Sequence, residues 1–423
     1  MTTTAPPQTP TALNGLRVLD LSRVLAGPWC TQNLADMGAD VIKIEKPLEG
    51  DDTRNWGPPF FPGPDGQPTN QATYYMACNR NKQSVTVDMA TPEGQQIIRD
   101  LAAQSDVLVE NFKAGGLQRY GLDYASLAQI NPRLIYCSIT GFGHTGPYAK
   151  RAGYDLLIQA MSGLMSVTGR ADQEPGGGPL RVGVAVIDLF TGMYATTAIL
   201  AALHARGQTG RGQHIDMALL DVAMAILANQ GAGYLNTGNW PTRQGNSHPS
   251  VVPYQDFPTA DGRMLLAIGN DGQFARFCEA AGVGWASDPR FTANTHRVAH
   301  RATLIPMMEE VTRQRPTAEW IDLLEHKAVP CGPINHIGQA YADPHVISRG
   351  LQARQERYPG GQPACGDPVN AITTAASPLR LSATPPTLRH APPALGQHTE
   401  EILAQRLGLD AAKIQSLRER GVV

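Results

Sequence analysis

Leu16-Arg17-Val18-Leu19-Asp20-Leu21 runs directly into Ser22-Arg23-Val24-Leu25-Ala26-Gly27-Pro28, and this junction decides the fold. The first segment reads as a short apolar strand and the second as a tight glycine-bearing loop. A helical stretch through Thr31 to Met37 leads to a second apolar strand, Val41-Ile42-Lys43-Ile44. The alternation continues outward. Strands are expected at Ser84 to Asp88, Asp106 to Glu110, Leu134 to Ile139 and His214 to Met217. Helices are expected after Thr91-Pro92, where Thr91 is a natural N-cap and Pro92 suits the first helical position, and over Leu122 to Asn131, Val186 to Ala205 and Leu219 to Gln230. Short apolar strands separated by helices imply an α/β fold, a doubly wound parallel sheet covered on both faces. Ligands bind such sheets where loops leave the carboxyl ends of the strands.

The chain has 423 residues, more than one hydrophobic core usually organises, so two domains are expected. The doubly wound domain takes residues 1–225 and is completed by a return segment over 336–423. Between them, 226–335 reads as a smaller α+β domain, opened by a Gly/Asn/Pro/Ser-rich stretch from Gly231 to Tyr254. Within it, Asp261-Gly262 marks a hairpin between apolar runs. His345 to Pro393 reads as strand and loop, and Thr399 to Arg420 as two short helices.

Charged residues make up only 17% of the chain, which points to surface buried between subunits. A formal charge of -2 without any basic stripe argues against nucleic acid as a partner. No uninterrupted apolar run is long enough to span a bilayer, and Met1 to Pro10 lacks the basic and apolar regions of a signal peptide. The six cysteines, Cys30, Cys78, Cys137, Cys278, Cys331 and Cys365, are scattered without a Cys-x-x-Cys pair. Neither a metal site nor a disulfide framework is indicated, and a cytoplasmic setting is expected. Cys331 reads as a small residue in a turn rather than a nucleophile.

No P-loop and no Gly-x-Ser-x-Gly is present, and Gly176-Gly177-Gly178-Pro179 does not open a helix after a strand. Three glycine-bearing loops do follow strands directly: Arg23 to Pro28, Glu110 to Gly116 and Thr140 to Pro147. In a doubly wound sheet all three sit at one edge, where a large cofactor can lie.

At these loops the sequence resembles the class III CoA-transferases, which include formyl-CoA, carnitine-CoA and dicarboxylate CoA-transferases and, as relatives, 2-methylacyl-CoA racemases. The resemblance rests on Leu16 to Pro28, Gly38 to Pro47, Gly50-Asp51-Asp52-Thr53-Arg54-Asn55-Trp56, Asn79 to Ser84 and Asp106 to Phe112. It continues through Gly153 to Gly163, Gly210 to Asp216, Val329 to Pro333 and Leu395 to Thr399. It implies an interlocked homodimer, each chain threading through the other, and CoA esters as substrates with no tightly bound cofactor.

The resemblance makes Asp172, in Thr168-Gly169-Arg170-Ala171-Asp172, the covalent nucleophile, with Glu174 as a shifted equivalent. Such a carboxylate attacks an acyl-CoA thioester to give a mixed anhydride. The released thiolate then returns to form an aspartyl-CoA thioester, which an acceptor acid reverses. The CoA-binding positions that carry over are Val24, Leu25, Lys46, Asn111, Phe112, Arg119 and Tyr120. Gln244-Gly245-Asn246-Ser247-His248 corresponds to a lid in some members, which places His248 near the acyl group. The stretch around Arg54 resembles the branch that uses succinyl-CoA and dicarboxylates such as glutarate, itaconate, citramalate or 3-sulfinopropionate. Arg54 and Arg80 are candidates to bind a second carboxylate. Asp155 matches a proton-shuttling residue of the racemases, but no histidine stands in the corresponding upstream region around Tyr124, and His144 falls in a turn. The racemase remains the second reading, and a noncatalytic CoA-binding protein the third.

Overall fold

The computed structural model describes residues 11–63, 66–359, 367 and 369–423, so the N-terminal stretch and Cys365 discussed above lie outside the described residues. The strand that opens the sequence is β1, Arg17–Asp20. It is followed by β2 (Asp40–Glu45), β3 (Lys82–Thr86), β4 (Val107–Glu110), β5 (Ile135–Thr140) and β6 (His214–Ala218). They form one six-stranded sheet in the order β3-β2-β1-β4-β5-β6, and every adjacent pair is parallel. Val18 of β1 stands opposite Val41 on one side and Val107 on the other. β4 and β5 are buried along their whole length, as continuous apolar strands between two layers of helix must be. Strand order reverses direction at β1, so the crevice between the β1 and β4 loops is the sheet's topological switch point.

The helices follow their local signals. α1, Ala26–Asp36, begins inside the first glycine loop. α2, Pro92–Ala103, starts as expected: the Thr91 hydroxyl accepts from the Gly94 N–H at 3.0 Å and Pro92 occupies the first turn. Its Ile97, Ile98 and Leu101 enter a core shared with Leu19, Leu108 and Leu127, the last from α3, Tyr124–Ile130. The C-terminal helices Thr399–Leu407 and Ala411–Glu419 add Ile402, Leu403, Ile414 and Leu417 to this core, so the end of the chain does return to the first domain.

α4, Val186–Thr209, is by length and composition apolar enough to cross a membrane, with Asp188 in its first turn. It packs on α1, and Ile187, Thr191, Gly192, Ala195, Thr196 and Ile199 are among its buried residues. Gly192 permits that approach, since a Cβ there would lie 2.7 Å from the Ala26 carbonyl oxygen. The helix expected from Leu219 to Gln230 is two helices, Leu219–Ala225 and Ala228–Thr237, because Ala228 takes φ +45° and breaks the ladder.

The chain divides into two units, one holding residues up to Ser162 with Gly183–Gly231 and Ile347–Val423, the other Gly163–Val182 with Ala232–Val346. The main segment of the smaller unit thus runs from 232 to 346, six and eleven residues beyond the expected 226 and 335. The unit also claims 163–182, a segment assigned above to the large domain. Contacts far along the chain cause this: the Gly245 N–H donates to the Gly169 carbonyl at 3.0 Å and Arg243 Nη1 to that of Ser166 at 3.2 Å. The unit carries an antiparallel sheet of β7 (Tyr254–Pro258), β8 (Arg263–Ala267) and β9 (Cys331–Pro333). β7 and β8 make the hairpin foreseen at Asp261-Gly262. Phe257, Leu266, Phe274, Phe277, Trp320 and Leu324 pack on one face, making this an α+β core of its own. Cys331 sits within β9, and burial pushes its thiol up to about 11, away from thiolate chemistry.

Candidate active site

The switch point of the larger unit is built by two loops that lock to each other. Asn111, just past β4, accepts the Arg23 N–H at 2.8 Å and donates to the Arg23 carbonyl at 2.6 Å. The next residue, Val24, holds φ +70°, a left-handed conformation that a β-branched residue adopts only when its surroundings impose it. Asp51 imposes it: both carboxylate oxygens lie 3.2 Å from the Val24 N–H. Asp51 is anchored in turn by the wholly buried ammonium of Lys43, at 2.9 Å, which also donates to the Ser22 carbonyl.

A second buried pair stands beside it. Lys82 Nζ meets Asp20 at 3.0 Å and donates to the Pro28 carbonyl and Asn79. Burial works to raise the Asp20 carboxyl, but Lys82 and Lys43 overcome it and hold it at about 2. Two lysines inside apolar strands therefore carry the geometry of the first glycine loop. Breaking a buried pair of this kind costs about 3–5 kcal/mol, because the surviving charge is left unpaired.

Two cavities open at this edge. One, about 710 Å³, is lined among others by Lys46, Phe112, Lys113, Arg119 and Tyr120. The other, about 240 Å³, is lined by Val24, Leu25, Asn111, Tyr154 and Asp188, and the two share Arg23, Phe112 and Lys113 as walls. Of the seven positions that the resemblance assigns to CoA binding, Lys46, Arg119 and Tyr120 line the first cavity, Val24, Leu25 and Asn111 the second, and Phe112 both. Four of the first cavity's cations suit phosphate groups: Lys113 and Arg119, and also Arg23 and Lys46, whose exposed pairs with Asp52 at 2.9 Å and Glu49 at 2.6 Å a phosphate would displace. Phe112 and Tyr120 offer ring faces, beneath the guanidinium groups of Arg23 at 5.5 Å and Arg119 at 4.5 Å. Asp188 was not foreseen: burial, reinforced by the charge of Asp155, pushes its carboxyl up to about 7.

Asp172 belongs to the smaller unit. Its side chain is 67% exposed and is paired with Arg243, whose own side chain is only 12% exposed. Both residues line a cavity of about 560 Å³ with Gln244 and Arg301. Arg301 Nη1 donates to Gln244 Oε1 at 2.8 Å, and Nη2 to the carbonyls of His248 and Pro249 at 2.6 and 3.1 Å. Glu174 is exposed on the turn beyond and is not among the residues lining this cavity. An accessible carboxylate at the wall of a cavity that also carries two guanidinium groups can reach an acyl group, and the guanidinium groups can stabilise the oxyanion that forms.

Comparison with known proteins bears on both halves. A family model described as CoA-transferase family III matches residues 13–399. The chain belongs to CoA-transferase family III. A succinate–glutarate CoA-transferase of Agrobacterium fabrum is 50% identical over 394 residues, 93% of this chain and 95% of that protein. The human succinyl-CoA:glutarate CoA-transferase is 42% identical over 412 residues, 97% of this chain and 90% of that one. A CAIB/BAIF family protein from Brucella suis has a similar structure, with a TM-score of 0.81 at 47% identity over 94% of this chain and 100% of the other.

In this family III CoA-transferase the arginines chosen from sequence as carboxylate clamps already have partners. Arg54 donates to both oxygens of buried Glu45 at 2.7 Å and to the Pro393 carbonyl, with its guanidinium 3.7 Å from the Tyr75 ring centroid. Arg80 grips both oxygens of Asp36 and donates to the Ala375 carbonyl at 2.7 Å. Each fork is spent on an internal acid, so neither is free to receive a substrate carboxylate. His248 Nδ1 accepts the Ser250 N–H at 3.0 Å and its backbone N–H donates to the Tyr254 carbonyl, which orders the 244–250 loop around it. Asp155 caps α4, accepting the N–H groups of Ile187 and Asp188 at 2.8 and 3.3 Å, a structural use of the position that matches the racemases.

Proposed function

We propose that this transferase moves CoA from succinyl-CoA to a dicarboxylic acid, glutarate foremost, with Asp172 as the covalent nucleophile. The observation that carries the reading is the accessible Asp172 carboxylate paired with Arg243 at the wall of a cavity, at the position the family motif designates. The names of the Agrobacterium and human relatives support succinate and glutarate as the acids. The crevice at the switch point of the larger unit supports a CoA ester as ligand, its phosphates toward the four cations and its thioester end toward the Val24–Leu25 loop.

Asp172 attacks the succinyl thioester carbonyl, forming the mixed anhydride and expelling CoA thiolate. The thiolate attacks the aspartyl carbonyl, leaving an aspartyl-CoA thioester and free succinate. The acceptor carboxylate then attacks that thioester, expelling CoA thiolate and forming a second anhydride, and the thiolate attacks the acceptor's carbonyl of this anhydride to give the new CoA ester and ionised Asp172. Every step passes through an oxyanion, which preorganised donors stabilise. The chain is read as acting as a homodimer. The exposed Phe190, Met193 and Tyr194 on α4 support a partner surface in the larger unit.

Incubation of the purified protein with succinyl-CoA and a panel of mono- and dicarboxylates, with each CoA ester identified by mass, tests the reading. Glutaryl-CoA is the expected product. Exchange of an α-proton with deuterated water and no new ester would replace it with the racemase.

A further inference from the structure

We propose that Arg243 is the binding site for the acceptor's carboxylate, and that it becomes available only when Asp172 is acylated. The inference rests on Asp172 being the nucleophile and adds what that residue's partner does.

Three of the residues lining the 560 Å³ cavity carry charge: Asp172, Arg243 and Arg301. In the resting protein Asp172 occupies Nη2 of Arg243, Nη1 is held by the Ser166 carbonyl, and the buried Nε has no partner among the described residues. The acceptors bonded to Arg301 are all neutral. The cavity thus holds two guanidinium groups against one carboxylate. A free acid competes poorly here, because Asp172 is tethered to the same donor.

Acylation changes the charge count. The carboxylate of Asp172 becomes a neutral thioester, and its negative charge leaves with the released donor acid. Arg243 Nη2 then has no counterion, its buried Nε is still without a partner among the described residues, and Arg301 lines the same cavity. A guanidinium N–H is a strong donor to a carboxylate oxygen. A carboxylate held by Nη2 lies beside the acylated Asp172 carbonyl carbon, which it must attack. The order of events follows: the acid enters after the donor has left, and the same site serves the departing donor acid in reverse.

Asp172→Asn mimics the neutral, acylated side chain without adding bulk. Equilibrium binding of glutarate, by calorimetry without any CoA ester, should tighten at least about tenfold in D172N relative to wild type, the scale of one charge-assisted hydrogen bond. In D172N/R243Q the gain should vanish. Binding by D172N within about twofold of wild type, or a gain that survives in the double variant, overturns the proposal. If R243Q lowers the melting temperature, the D172N comparison alone decides, since that change is isosteric at an exposed position. The nucleophile reading is judged separately, by mass spectrometry of wild type during turnover: an adduct on Asp172 alongside unchanged D172N binding defeats the gating and spares the nucleophile.

Discussion

Replacing Glu110 with glutamine removes a proton-binding group from the end of β4 and should change how stability depends on pH. Glu110 is 5% exposed, and its Oε2 accepts the Phe112 N–H at 2.7 Å in the loop that walls both crevice cavities. Burial raises its carboxyl from 4.5 to about 7, against the lowering effect of hydrogen bonds from Ser138 and Phe112. Below pH 4.5 the group is protonated in both the folded and the unfolded chain. Between 4.5 and about 7 the unfolded chain releases the proton while the folded chain retains it. Stability therefore falls as pH rises through that window and levels off above it. At about 1.4 kcal/mol for each pH unit separating the two values, the loss is roughly 3 kcal/mol. Urea denaturation of wild type and E110Q at pH 4.5 and pH 7.5 measures it. Groups such as Asp188 and His214 titrate in both proteins and cancel in the comparison. Wild type should lose roughly 3 kcal/mol more than E110Q over this interval. Parallel pH profiles would refute the assignment of a buried, protonated Glu110.

Lys43→Met leaves Asp51 buried without its cation and should destabilise the fold by about 3–5 kcal/mol. It should also weaken binding of CoA esters, measured by calorimetry, because Asp51 no longer fixes Val24. Arg54→Lys breaks the two-oxygen grip on Glu45 and should cost about 1–3 kcal/mol in denaturant unfolding. The ratio of glutarate to butyrate turnover should stay as in wild type, since Arg54 is spent inside the chain. Cys331→Ala should leave turnover unchanged in a thioester-exchange assay, as its thiol is held far from ionisation.

The sheet was legible because its strands are apolar and its loops carry glycine at the strand ends, whereas the seven CoA-binding positions came from the family resemblance, and the structure places them on the walls of the two cavities at that edge. The buried roles of Lys43 and Lys82 were not legible in the sequence. A lysine in an apolar strand with both faces covered must find an acid, yet sequence does not say which, and Asp51 and Asp20 emerge only from the fold. The third strand begins two residues earlier than expected for the same reason: Lys82 and Gln83 look like loop until Lys82 is seen paired. Arg54 and Arg80 face Glu45 and Asp36, partners the sequence did not reveal, because a motif arginine serves an internal carboxylate as readily as a substrate's and only geometry separates the two. Arg243 lies 71 residues beyond Asp172, in the Gly/Asn/Pro/Ser-rich stretch from Gly231 to Tyr254, and no local pattern links the two. The same long-range pairing moved 163–182 into the smaller unit.

Mass spectrometry of protein quenched in acid while turning over succinyl-CoA tests the central claim most directly. A succinyl or CoA adduct is expected on the peptide that carries Asp172, with transfer abolished in D172A. Full transfer by that variant, or an adduct residing solely on another residue, would contradict the account.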